Sequence, residues 1–238
     1  MVNFRDLSNQ SPAASLQRGA RMNQAEFHKL YCEMPAGYKA ELIEGMVFEP
    51  PHPFVEHGEG QAHLSAIFLA YAGNVKGLQV LTDTTVILSD LDVLQPDVIM
   101  RILPNYGGQS QNLSSKAQLN SATFGTFLKG APELVVEVSH RSKPIDLGTK
   151  KNRYQAAGVL EYLVYSLEPK QLYWFDLKAN QQLSIETDGT LRSSVFPGLW
   201  VHQEGLFDYD YPRLISMVNA GLQTNGFKKF AAQITKVR

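Results

Sequence analysis

Cysteine is nearly absent: Cys32 is the only one in 238 residues, so one chain can build neither a disulfide framework nor a cysteine zinc site. Charge of one sign is missing too, with 22 Lys and Arg against 23 Asp and Glu. A net charge of −1 creates no overall field toward nucleic acid or anionic lipid, so a nucleic-acid role needs a local basic surface. No apolar run approaches the ~18 residues of a membrane span. The opening MVNFRDLSNQSPAASLQRG lacks an apolar h-region, and a soluble, cytoplasmic protein is expected. Several catalytic signatures are also lacking. There is no G-x-S-x-G elbow and no P-loop, and GEGQAH starts a G-x-G-x-x-G without completing it. His57 and His63 lie six apart, which is not one helical face, and no H-E-x-x-H forms. His52 and His63 therefore read as loop or surface residues. His57, at a helix start beside a strand end, stays open.

What is present is ordinary for a globular chain: 44% hydrophobic and 19% charged residues. Residues 1–21 are polar and read as a flexible tail, followed by a single domain over 22–238. Asn23 with Glu26 three residues on makes a helix start. KAELIEGMVFE reads as a strand stopped by Pro50, Pro51 and Pro53. Leu64, Ile67, Phe68 and Tyr71 recur at helical spacing. LQVLTDTTVILSD and QPDVIMRI are strands, with LDVL between them either a turn or part of one of them. Residues 104–130 form a polar stretch, long enough to be functional or disordered. APELVVEV is a short apolar strand, and PIDLGTKKNRYQAAG a helix ending at Gly158. VLEYLVYSL and LYWFDL make a hairpin, and the chain after Pro212 reads as a helical extension. One α/β domain with a mixed central sheet flanked by helices accounts for this order.

The informative residue is Glu137, a carboxylate set among valines in LVVEV. An acid ionised away from water needs a cation or several donors. Alternation puts Glu137 on the face of Val135, and Asp97 in QPDVIM on the face of Ile99. If these strands are neighbours, the two carboxylates converge at roughly one strand spacing, ~4.8 Å. They then repel unless a cation lies between them, and a hard divalent ion suits such oxygens. Asp146, Lys150 and Tyr154 recur at i, i+4 and i+8 and could turn one stripe toward these acids. Asp146 and Lys150 could equally be an ordinary exposed helix pair. Glu41 is a third candidate acid, with Glu44 on the other side of its strand.

AELIEGMVFEPP, EHGEGQAHL, LQPDVIM, PELVVEVSHRS…DLGTKKNRYQAAGVLEYLVYS and FPGLWV resemble, in order and spacing, the Uma-type restriction endonucleases of the PD-(D/E)XK nuclease superfamily. The resemblance spans roughly residues 23–210 and is most specific over 132–166. It implies a restriction-endonuclease-like fold and Mg²⁺-dependent cleavage of DNA, with Mn²⁺ as a substitute. Asp97 matches the PD acid and Glu137 the (D/E) acid, and these two would hold the metal. Glu41 and His57 match the family's recurring acid and histidine. Ser139 stands where a plain E-x-K motif has lysine, and Lys150 on the following helix matches the displaced lysine, with Lys151 as the alternative. The resemblance makes Asp97, Glu137, Lys150 and Glu41 the catalytic set, with His57 and Tyr154 as accessory residues.

Two rival readings remain open: a catalytically silent DNA-binding or assembly module that kept the fold, and a two-acid carbohydrate or ester hydrolase. The latter lacks an aromatic sugar platform beside Asp97 or Glu137. Cutting both strands of a duplex suggests a homodimer. Trp174 and Phe175 alternate along a strand, so one of them could face out as an interface, unless a C-terminal helix covers it.

Overall fold

The computed structural model describes residues 16–35, 37–114, 125–140 and 142–234. Its first strands are β1 (Glu41–Ile43), β2 (Met46–Phe48), β3 (Leu78–Thr82), β4 (Val86–Ser89), β5 (Asp92–Leu94), β6 (Val98–Ile102) and β7 (Gln111–Ser114). Then come β8 (Thr126–Lys129), β9 (Leu134–Ser139), β10 (Glu161–Leu167), β11 (Lys170–Asp176), β12 (Gln181–Gln182), β13 (Thr190–Arg192) and β14 (Trp200–His202). The helices are α1 (Gln24–Cys32), α2 (Val55–Ala72), α3 (Lys143–Ile145), α4 (Lys151–Ala157), α5 (Gln203–Phe207), α6 (Tyr211–Leu222) and α7 (Asn225–Gln233). Between α3 and α4, residues Asp146–Lys150 form a π-helical turn.

The expected mixed sheet is present, in the order β12–β11–β10–β9–β6–β3, with β9 parallel to β10 and antiparallel to β6. Every residue of β9 is buried, because this central strand is covered on both faces. Val136, Val138, Leu163, Tyr165 and Trp174 point into the largest core, against Leu64, Ile67, Phe68 and Tyr71 of α2. Val135, Tyr162 and Val164 point the other way, toward Tyr154 of α4 and Ile43 of β1. Glu137 shares that second face by alternation.

The sequence did not announce a second six-stranded sheet, β2–β1–β5–β4–β8–β7, which brings Glu41 to the first. LDVL supplies β5, which pairs with both β1 and β4. Part of the polar stretch 104–130 becomes β7 and β8; residues 115–124 lie outside the described residues.

Local signals behave as their chemistry dictates. Asn23 Oδ1 accepts from the Glu26 amide at 3.0 Å, and Gly158 ends α4 at φ +93°, a left-handed conformation that a side chain would oppose. Helix α2 approaches the sheet closely at Gly60, where an added Cβ would lie 2.7 Å from Tyr165 Cε1. That approach lowers the first turn of α2, and His57 with it, onto the sheet end.

Two expectations need correction. Of the supposed tail, residues 1–15 lie outside the described residues, but Leu16 is buried and Gly19 donates its amide to Val47 O. Neither Trp174 nor Phe175 offers an exposed patch. Trp174 is fully buried among residues that include Phe207 of α5 and Leu214 of α6. Phe175 stacks on Tyr162 and has Lys151 Nζ 4.5 Å from its ring centre.

Candidate active site

Strand pairing assembles the first two acids. The antiparallel register Val98↔Val136 and Ile99↔Val135 leads, one step further, to Asp97 opposite Glu137. Asp97 Oδ2 accepts from the Val138 amide at 2.6 Å, which ties this carboxylate to the neighbouring strand. Its Oδ1 lies 3.2 Å from His57 Nε2 at the start of α2. Burial lowers the imidazole's pKa, but the hydrogen bond and charge of Asp97 more than reverse this and raise it.

The ammonium arrives from the helical segment. Lys150 Nζ lies 3.1 Å from Glu137 Oε1 and 2.9 Å from Glu41 Oε2. Tyr154 donates its hydroxyl to the same Glu137 Oε1 at 2.7 Å. Glu41 Oε1 accepts from the Gln95 amide at 2.8 Å. Ser139 lies on the Glu137 face and is short, and the ammonium beside Glu137 comes from the helical segment. Lys151 points elsewhere, against Phe175, and of the two lysines it is Lys150 that meets Glu137 and Glu41. Asp146 and Lys150 are both buried, which rules out an exposed surface pair.

The π turn is what aligns this stripe. Asp146, Lys150 and Tyr154 are buried at 1%, 5% and 0% exposure, and the wider turn keeps all three facing the sheet. π turns inside helices recur at functional sites.

Electrostatically the cluster is short of positive charge. Asp97, Glu137, Glu41 and Asp146 face one ammonium and one imidazole. Burial raises the Glu137 carboxyl well above its usual range; Lys150 pulls it down, while Asp97, Asp146 and Glu41 add to the rise. Burial also raises Asp146 against the pull of Lys150. For Lys150, burial favours the neutral amine, but Glu137, Glu41 and Asp146 outweigh it and hold the group charged. Burial raises the Tyr154 phenol well above its ordinary value, and Glu137 adds to this, so the hydroxyl stays a donor.

The four acids, Lys150 and His57 line one cavity of about 90 Å³, walled also by Phe48, Pro50, Pro51, Pro53 and Phe54, and Tyr154 stands behind Glu137. At roughly 10–15 Å³ per water the cavity has room for several waters. Among the described residues no group of three or more His, Cys, Asp and Glu side chains forms a metal cage. Two carboxylate oxygens are on offer: Glu137 Oε2, which accepts no hydrogen bond from the described residues, and Asp97 Oδ1, which meets only His57. Asp146, whose Oδ2 is buried without a hydrogen-bond partner, lines the same cavity. This set fits Mg²⁺, which commonly takes one or two carboxylates and completes its shell with water and substrate oxygens.

Sequence reasoning missed several residues here. Gln61 donates to Asp97 O at 3.0 Å and to Asp83 Oδ2 at 2.8 Å; its position four residues after His57 on α2 was an available signal. Lys39, paired with Asp83 at 2.6 Å, and Gln95 reach the site only through the second sheet. His63 lies away from the acids, against Tyr209 and Tyr211.

Residues 24–204 match the model of a family, Uma2, described as "Putative restriction endonuclease". A similar solved structure is titled a "putative nuclease belonging to DUF820" from Anabaena variabilis. It has a TM-score of 0.57 and 12% identity, covering 76% of this chain and 97% of that one. At that identity the likeness is one of fold. No curated protein matches the chain. Among the described residues no helix is long and apolar enough to cross a membrane.

Proposed function

Since the chain belongs to the Uma2 family of restriction-endonuclease-like proteins and has a nuclease-like fold, we propose that it is a Mg²⁺-dependent endonuclease hydrolysing DNA phosphodiesters. The observation that carries this reading is the buried cluster in which Lys150 Nζ touches Glu137 and Glu41 beside the strand-paired Asp97. Asp97 and Glu137 would hold the ion, with Mn²⁺ as an alternative. When bound, the ion supplies charge stabilisation at the phosphate and a more acidic water.

The protein's own groups divide the remaining work. In hydrolysis a water oxygen bonds to phosphorus, the bond to one ester oxygen breaks, and a proton ends on that leaving oxygen. Lys150 is held protonated, so it donates: it orients the water or steadies the charge that develops on the phosphate oxygens. It is not the base. Glu41 fixes Lys150, and Tyr154 fixes Glu137, each through contacts already in place before substrate arrives. His57 holds the Asp97 oxygen on the cavity side.

Cleavage of both strands of a duplex calls for two sites related by two-fold symmetry, so we infer that the working form is a homodimer. A silent DNA-binding module has no use for a cavity short of positive charge, and that shortage favours the catalytic reading.

The test is plasmid nicking and linearisation with and without Mg²⁺, paired with calorimetric Mg²⁺ titration. Wild type should cut and bind the ion, and Glu137→Gln should do neither while staying folded. Full nuclease activity in that variant would show Glu137 to be structural. An absence of Mg²⁺ binding by the wild type would refute the metal reading.

A further inference from the structure

A second cavity of about 370 Å³ adjoins the acidic one and shares Lys39, Asp83 and Gln95 with it. Its walls include Tyr31, Met34, Tyr38, Thr85 and Phe127. Gln95 spans the boundary. Its backbone amide donates to Glu41 Oε1 at 2.8 Å, and its Nε2 donates to Tyr31 OH at 2.7 Å and Thr85 Oγ1 at 3.0 Å.

The aromatic walls are set in advance. Tyr31 OH donates to Tyr38 O at 2.9 Å, Tyr38 OH donates to Leu16 O at 3.1 Å, and the two rings lie 6.3 Å apart at 52°. Phe127 is braced edge-on against His28 at 4.8 Å. Rings pinned through their hydroxyls lose little freedom on binding. Both donors of the Gln95 amide are used inside the protein, and Oε1 accepts no hydrogen bond from the described residues. That leaves one acceptor among apolar ring faces, a combination suited to a flat heterocycle carrying an amino group.

The two cavities share the wall of Lys39, Asp83 and Gln95, as a phosphate and its own base adjoin within one nucleotide. A base stacked and paired inside a duplex cannot present its faces to Tyr31, Tyr38 and Phe127. Resting on the nuclease reading, we propose that this cavity receives one unpaired nucleobase next to the scissile phosphate. The substrate is then DNA with a single-stranded or extruded nucleotide at the cut. Enzymes that read bases this way stack them on aromatic side chains and bond their pairing edges.

The test measures binding of the full-length Glu137→Gln chain to a short oligonucleotide carrying 2-aminopurine. Three forms are compared: single-stranded, in a perfect duplex, and in a duplex opposite an abasic site. The single strand and the abasic duplex should bind about tenfold or more tightly than the perfect duplex, a factor typical of base–aromatic stacking. The 2-aminopurine emission should be quenched on binding. Adding Phe127→Ala, which removes a stacking wall, or Met34→Trp, which fills the cavity, should erase the preference and leave duplex affinity unchanged; circular dichroism verifies both folds. Equal affinity for all three forms, no emission change in the bound complex, or a preference that survives both substitutions would overturn the base site and leave the nuclease reading intact. Failure to bind any DNA would overturn both.

Discussion

Lys150→Met removes the one ammonium from a buried cluster of acids, and its cost can be worked from the contacts. In the wild type Lys150 Nζ pairs with Glu137 at 3.1 Å and Glu41 at 2.9 Å, all three groups being at most 6% exposed. Breaking a buried pair by deleting one partner costs about 3–5 kcal/mol, because the remaining charge is stranded. For a chain of this size that is a fall in Tm of roughly 6–20 °C. The cost depends on pH in a defined direction. Glu137 has a raised carboxyl pKa in the fold, so the native state binds its proton more readily than the unfolded chain. Ionising it therefore costs stability as pH rises through the folded value. Without Lys150 that carboxyl rises further, so the Lys150→Met deficit is largest at pH 8 and shrinks toward pH 5. Glu137→Gln acts oppositely: its amide oxygen still accepts from Tyr154 and Lys150, and one of the crowded charges is gone. Its stability should match or slightly exceed that of the wild type. Urea denaturation of the three proteins without metal at pH 5 and pH 8 makes the comparison. If Lys150→Met proves as stable as the wild type at pH 8, the ammonium does not hold these acids, and the electrostatic account of the site fails.

Two further outcomes follow from other parts of the molecule. Asp92 accepts from Arg153 at 2.9 and 2.6 Å, from Ser89 at 2.6 Å and from the Glu44 amide at 3.1 Å. Burial opposes these contacts, yet together they lower its pKa. The stability it contributes is present above the unfolded carboxylate value, ~3.9, and is lost as pH falls through the folded one. Asp92→Asn should lower stability by about 2 kcal/mol at neutral pH, discounted because Arg153 is partly exposed. It should also flatten the acid limb of the stability curve. An unchanged acid limb in urea titrations would refute this. Light scattering at micromolar concentration should return twice the 26.5 kDa chain mass, whereas the single-chain mass would sink the homodimer.

The site was legible where chemistry repeats at a fixed period. Valine alternation around Glu137 gave its face, and the i, i+4, i+8 spacing of Asp146, Lys150 and Tyr154 gave the stripe that meets it. Both signals are local, and both rest on runs long enough to show a period. The second sheet was not legible as a sheet, because β1, β2 and β5 are three residues each and three residues carry no alternation to read. Gln95 and Lys39 therefore stayed out of view, since their place depends on how that sheet docks. Phe175 was misread for a related reason. Alternation sends one of two neighbouring aromatics away from the first core without saying that α4 supplies a second one. The Glu41 match came from the resemblance, and its contact with Lys150 depends on residues 109 positions apart, which no window of sequence reveals.

The π turn at Asp146–Lys150 also bears on how this chain tolerates insertion and deletion. Such a turn holds one residue more than an α turn while the helix continues through it. Excising one residue there would restore an ordinary α turn over nearly the same rotation and leave the following segment close to its present phase. Excising a residue from the regular helix between Lys150 and Tyr154 would instead swing Tyr154 by roughly 100°, away from Glu137. Lengthening the loop before Lys143 would instead be absorbed outside the turn. In this chain the distance from strand acid to lysine is thus kept by rotational phase, not by residue count. The ammonium of Lys150 reaches both Glu137 and Glu41 only while that phase is preserved.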